Sequence, residues 1–201
     1  IRAINQKNKI WQIKVNIILF GPPGAGKGTQ SKYLEKKLNN FQVSTGDMLR
    51  DEIKKETEIG KKIITYMNEG KFVDDKIVNK LMENVIFNPK KKDKLIFDGY
   101  PTTINQAKNL EILLKKSSQN IEYIFFLNVN KDSIVKRIQK RKILEKRLDD
   151  DAHTILKRYD TYMEVTKPVL EYYSKNENFH EIDGSMEIKD ISQKIVEILN
   201  V

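Results

Sequence analysis

The sequence predicts an α/β fold, a three-layer sandwich with a five-stranded parallel sheet between two layers of helix. Three observations carry that expectation. Short apolar runs alternate with stretches of helical period, the pattern of repeated strand–helix units around a buried parallel sheet. The first run leads directly into a glycine-rich turn that opens a helix. No repeat or low-complexity linker breaks the alternation, so residues 14–201 read as one domain and residues 1–13 as an N-terminal extension.

The strands follow in order. VNIILF (15–20) is the first, and GKGTQSKYLEKKL is the helix after it. FQVST (41–45) is the second, followed by several helical stretches up to Phe87. LIFD (95–98) is the third and feeds INQAKNLEILLKK (104–116). YIFFLNV (123–129) is the fourth and runs into a long charged region; NFHEID (178–183) is the fifth, and a helical pattern over 187–200 closes the chain. Pro168 interrupts the helical pattern between Ala152 and Tyr173. The residue before a proline disfavours helical backbone, so a kink or boundary is expected near Lys167.

Composition removes several classes of function. Charged residues at 32% and hydrophobic ones at 39% suit a globular chain rather than a disordered one. No apolar run approaches the roughly 20 residues that cross a bilayer, so no membrane partner is expected. The sequence has no cysteine, which excludes disulfides, thiolate metal sites and cysteine nucleophiles. A reducing compartment is compatible with this, and cytoplasmic localisation is the expectation, other reducing compartments remaining open. The formal charge of +9 attracts polyanions. No basic stripe interleaved with aromatics accompanies it, so nucleic acid is not the expected partner and the lysines read as solvated surface.

The chemistry begins at GPPGAGKGTQ, residues 21–30. A glycine-rich turn between strand and helix lets the backbone N–H groups around Gly24, Gly26 and Gly28 converge on phosphate oxygens, and the helix N-terminus adds favourable potential. Lys27 can reach the β- and γ-phosphates. The common motif places Ser or Thr directly after the lysine to meet Mg²⁺; here Gly28 intervenes before Thr29. In that form the segment resembles the nucleoside monophosphate kinases, adenylate kinase in particular, a P-loop NTPase-type fold.

The resemblance extends through most of the chain from about Lys14. VSTGDMLR (43–50) is similar to the family segment that receives the acceptor monophosphate, which implies that Thr45 faces the base and Arg50 holds its phosphate. GKFVDD (70–75) is similar to the family turn whose backbone lines the acceptor-base pocket, around Gly70 and Val73. LIFDGYPTTINQA resembles the family's DG(F/Y)PR…Q stretch, implying Asp98 as a magnesium residue acting mostly through water, Gly99 beside the acceptor, and Gln106 against adenine. The family has arginine, gripping the acceptor phosphate, where this chain has Thr102. After the fourth strand the arginines follow the family's order. By resemblance Arg137 packs on the donor base, Arg141 and Arg147 hold the transferring phosphates, and Arg158 bridges donor and acceptor. Ser185, in IDGSME, meets the donor adenine through its loop backbone. Guanidinium suits these roles because its planar fork grips phosphate bidentately. Only KILEK separates Arg141 from Arg147, so the lid is short and carries no metal. His153 and His180 match no family position and read as structural or exposed.

The resemblance therefore implies a monomeric phosphotransferase with ATP and AMP as substrates and Mg²⁺ as cofactor, attenuated by Thr102. An acceptor arm over 46–73 and a short lid over 137–150 are expected to close over the substrates. Alternatives are another acceptor or donor (UMP/CMP or GTP:AMP), or a low-activity nucleotide-binding protein with a partner or sensing role.

Overall fold

The computed structural model describes residues 4–5, 10–11, 13–145 and 152–201, with side chains for 13–139, 154 and 156–201. A two-residue antiparallel ladder comes first, β1 (Ile4–Asn5) with β2 (Ile10–Trp11). The five apolar runs then become β3 (Ile17–Phe20), β4 (Phe41–Ser44), β5 (Leu95–Asp98), β6 (Tyr123–Asn128) and β7 (Phe179–Asp183). They form one all-parallel sheet in the order β4-β5-β3-β6-β7. The expected three-layer α/β sandwich is thus the observed one.

Strand side chains alternate between the two faces, and each face has its own core. Ile17, Leu19, Ile96, Phe125 and Leu127 pack under α1 (Lys27–Leu38), α6 (Lys131–Glu145) and α9 (Ile188–Ile198). Ile18, Phe20, Val43, Leu95, Phe97 and Ile124 pack under α4 (Asp75–Ile86), α5 (Ile104–Lys116) and α8 (Lys167–Tyr173). The second core continues into α2 (Thr45–Lys54) and α3 (Glu58–Asn68) through Leu49, Ile63 and Met67. Both central strands β3 and β5 are buried throughout, which is why they read as unbroken apolar runs.

At Pro168 the expected break in helical backbone does not occur: Lys167 keeps helical dihedrals (φ −56°, ψ −43°), and the change falls just before it. α7 (Ala152–Thr161) passes into a π-helical segment, Tyr162–Thr166, and α8 starts at Lys167 with Pro168 in its first turn. Proline is tolerated there because the first helical N–H has no intrahelical partner.

β3 begins two residues inside the run VNIILF because Asn16 does a different job. Its Nδ2 donates to Asn120 O (2.8 Å), its Oδ1 accepts from Leu95 N (2.9 Å), and its N–H donates to Glu122 Oε2 (2.6 Å). Gln119 continues the stitching, donating to Ile86 O (3.0 Å) and accepting from Asp93 N (2.8 Å). These bonds tie together the N-terminal ends of β3, β5 and β6. The opposite, C-terminal edge of the sheet is left to the loops described next. Among the described residues, no helix is long and apolar enough to cross a membrane.

Candidate active site

β3 delivers the chain into the glycine-rich turn, and α1 starts at Lys27. Gly24 and Gly26 have φ of +82° and +98°, the left-handed region where a side chain is strained. A Cβ on Gly24 would also lie 2.8 Å from Ile138 Cγ1 on α6. Gly26 caps α1 without a side-chain hydrogen bond, and the helix's own first turn holds no acidic residue to offset its positive end. Lys27 Nζ folds over the turn and donates to Gly21 O (2.7 Å) and Pro22 O (3.1 Å). Thr29 is exposed in the first turn.

The sheet register sets the next residues beside this turn. Asp98 ends β5, opposite Leu19 of β3 and Ser44 of β4. It is 8% exposed, and its Oδ2 accepts from Gln42 Nε2 (2.9 Å). The same oxygen is 3.5 Å from where a Cβ on Gly28 would sit, so the carboxylate abuts the start of α1. One residue on, Gly99 has φ +75° and its carbonyl accepts from Thr45 Oγ1 (2.8 Å), joining the loops after β4 and β5. Ser44 caps α2 by accepting from Asp47 N (3.2 Å), and Arg50 returns along that helix to Asp47 Oδ1 (2.6 Å). A Cβ on Gly46 would lie 3.1 Å from the Arg50 guanidinium, so Arg50 lies over the first turn of α2.

Val73 is buried in the loop between α3 and α4. Gly70, at φ +67°, ends α3 against α7: a Cβ there would lie 3.1 Å from Arg158 Cγ and 3.2 Å from Thr154 Cγ2. Gln106, in the first turn of α5, is 1% exposed. Its Oε1 accepts from Thr102 N (2.8 Å) and Thr102 Oγ1 (3.1 Å), and its Nε2 donates to Asp75 Oδ1 (2.7 Å). Thr103 donates to the other Asp75 oxygen (2.8 Å) and caps α5 by accepting from Gln106 N (3.1 Å). Nearby, burial pushes the Tyr100 phenol up to about 12, keeping it a neutral donor to Asn79 Oδ1 (3.0 Å).

On the other side of the glycine-rich turn, Arg137 of α6 bridges two loops through Ala25 O (3.4 Å) and Ser185 O (3.5 Å). Ser185 follows β7 and is fixed by donating its N–H (2.8 Å) and hydroxyl (2.6 Å) to Asp183 Oδ1. Those bonds, the hydroxyl's first, hold the Asp183 carboxyl below its ordinary value. The Arg141 side chain and Arg147 lie outside the described residues, as do the side chains of 140–150 and the backbone of 146–150.

Comparison with known proteins decides the family. The adenylate kinase family model matches residues 19–178. The adenylate kinase of Pelagibacter ubique strain HTCC1062 is 49% identical over 213 aligned residues, covering 93% of this chain and all of the relative. That of Mycoplasma mycoides subsp. mycoides is 40% identical, covering 84% of this chain and 91% of its own, and that of Flavobacterium psychrophilum is 37% identical, covering 92% and 98%. The chain belongs to the adenylate kinase family.

Within this adenylate kinase family member, contacts join the expected residues into two groups. Lys27, Gly28, Asp98, Thr45 and Gly99 meet along the C-terminal edge of the sheet, and Arg137 with Ser185 flanks them. Arg50 pairs with Asp47 one turn back along α2, and Arg158 lies against Gly70 at the end of α3. Gln42, Asp75 and Thr103 are partners that sequence reading missed. Asp75 reads locally as a second aspartate at a helix start, and nothing in GKFVDD signals its bond to a glutamine 31 residues away.

Proposed function

We propose that the chain transfers the γ-phosphoryl group of ATP to AMP, giving two ADP, as a cytoplasmic monomer whose rate is attenuated at Thr102. One observation carries this reading: the glycine-rich turn, Asp98 and the Thr45–Gly99 bridge share one edge of the sheet in a chain of the adenylate kinase family. That edge is where open α/β sheets place ligand chemistry.

Phosphoryl transfer asks the protein for position and charge rather than covalent chemistry. The start of α1 and the ammonium of Lys27 supply positive potential for the donor phosphates. Lys27 exchanges the carbonyl oxygens of Gly21 and Pro22 for phosphate oxygens without leaving its own turn. Arg137 and the Ser185 loop offer a planar cation and a fixed backbone to the donor base. Thr45, Val73 and Gly99 line the acceptor side, with Arg50 for the acceptor phosphate. Arg141, Arg147 and Arg158 complete the charge on the transferring group.

Asp98 suits a magnesium ion, being a carboxylate beside the turn with one oxygen already oriented by Gln42. It would hold Mg²⁺ through water, and the ion would supply charge neutralisation at the phosphate oxygens.

The test is coupled ADP formation from ATP with each nucleoside monophosphate in turn, for the natural chain and for Thr102→Arg. AMP is expected to be the best acceptor. Restoring a charged hydrogen bond worth about 1.5–3 kcal/mol should raise the kcat/KM for AMP roughly ten- to a hundredfold. Absence of transfer to any acceptor by either protein would end the kinase reading. Equal activity of the two would remove the attenuation and leave the kinase.

A further inference from the structure

The carboxamide of Gln106 is oriented by its partners and by nothing ambiguous. A backbone N–H can only donate, so the oxygen faces Thr102 and the nitrogen faces Asp75. An amide oxygen has two lone pairs, and Thr102 occupies both, one through its N–H (2.8 Å) and one through its hydroxyl (3.1 Å). The nitrogen spends one N–H on Asp75 (2.7 Å) and keeps the other. Gln106 therefore has one donor left to offer a ligand and no acceptor.

Neighbouring bonds prevent the group from turning over. Thr103 holds the second oxygen of Asp75 (2.8 Å), and Thr166 of the π segment donates to Thr102 O (3.1 Å). Flipping the amide would set its N–H₂ against the Thr102 N–H and its oxygen against the Asp75 carboxylate.

We propose that Thr102 is a positioning residue that relaxes base selectivity at the acceptor site, so that it takes 6-oxopurine monophosphates alongside 6-aminopurine ones. The inference rests on the reading of Gln106 as the group that meets the acceptor base. A 6-aminopurine presents a ring-nitrogen acceptor beside an amino donor. A 6-oxopurine presents a carbonyl acceptor beside a ring N–H donor. A fixed glutamine with both ends open matches the first pair and opposes the second. With its oxygen saturated, the same glutamine offers a lone N–H, which the ring nitrogen of one base accepts in place and the carbonyl of the other accepts after the base shifts across to it.

The probes are AMP and inosine monophosphate, and the first readout is their dissociation constants by titration calorimetry on the full chain. The natural protein should bind the two within about fivefold. Thr102→Val keeps the main-chain N–H but frees one lone pair of Gln106, and should favour AMP by a further three- to tenfold, the size of one hydrogen bond. Thr102→Ser keeps the hydroxyl and should preserve the natural ratio. In steady-state assays the change should appear in KM rather than kcat. A natural preference for AMP above about a hundredfold, or a Thr102→Val ratio equal to the natural one, overturns the proposal, as does failure to bind either probe. Binding of both without ADP formation would sink the kinase reading and leave this selectivity standing.

Discussion

Gly60 lies in the first turn of α3, where that helix crosses the end of α2. A Cβ there would lie 2.1 Å from Glu52 O, 2.5 Å from Glu52 C and 2.8 Å from Ile53 N. All three are backbone atoms, so no side-chain rotation relieves the overlap. The corner is also stitched shut. Thr57 N donates to Glu52 O (3.2 Å), Thr57 Oγ1 to Glu52 Oε2 (2.5 Å), and Gly60 N to Thr57 Oγ1 (3.0 Å). An alanine at position 60 must push the helices apart by about 1 Å to reach ordinary contact. It gains about 1 kcal/mol of helix propensity. Against that stands about 3 kcal/mol of overpacking, the upper end for a clash with rigid atoms. The net loss of about 2 kcal/mol should lower Tm by about 4–8 °C in a chain of this length. Thermal unfolding of Gly60→Ala, followed by circular dichroism, measures it. A Tm equal to or above that of the natural protein would refute the reasoning, because propensity alone would then have decided the outcome.

Lys27→Met should lower ADP formation by at least about a hundredfold, the scale of removing one preorganised group that stabilises transferring charge; activity within tenfold of natural would remove Lys27 from the mechanism. Glu122 gives a pH-dependent signature. Burial pushes its carboxyl above the ordinary 4.5, against the pull of the Asn16 N–H. The folded state thus binds this proton more tightly than the unfolded state does, so its contribution is full below 4.5 and is lost as pH rises through the raised value. Relative to Glu122→Gln, which cannot ionise, the natural protein should lose Tm as pH climbs from below 4.5 through the raised value; a difference that stays constant or grows in its favour contradicts this.

β3 and β5 were legible because a parallel strand buried throughout has no polar alternation to confuse with loop, and the other three were legible as short apolar runs bounded by a turn or helix start. Pro168 marked the passage from the π segment into α8, though Lys167 before it keeps helical dihedrals. The β1–β2 ladder was not legible, since two paired residues make no periodic signal. Nor was the late start of β3, because an asparagine inside an apolar run gives no sign that it will be spent on Asn120, Leu95 and Glu122. In the site, the glycines with Lys27 between a strand and a helix implied the phosphate turn, and the left-handed Gly24 and Gly26 are its physical reason. The bonds of Gln106 to Thr102 and Asp75 were invisible for a different cause. The Thr102 bonds depend on how the loop before α5 folds back on its first turn, and the Asp75 bond joins two helices, α4 and α5, that are distant in sequence.

The asparagine-centred knot at the N-terminal ends of the strands has a practical meaning for altering this protein. Because the polar bonds that align β3, β5 and β6 lie at the far end from Asp98 and Thr45, the loops beyond those strands can be diversified without disturbing strand alignment. Libraries built at Thr102 and its neighbours should therefore retain folded members at high frequency, whereas changes at Asn16 would scatter the sheet register before any ligand is met.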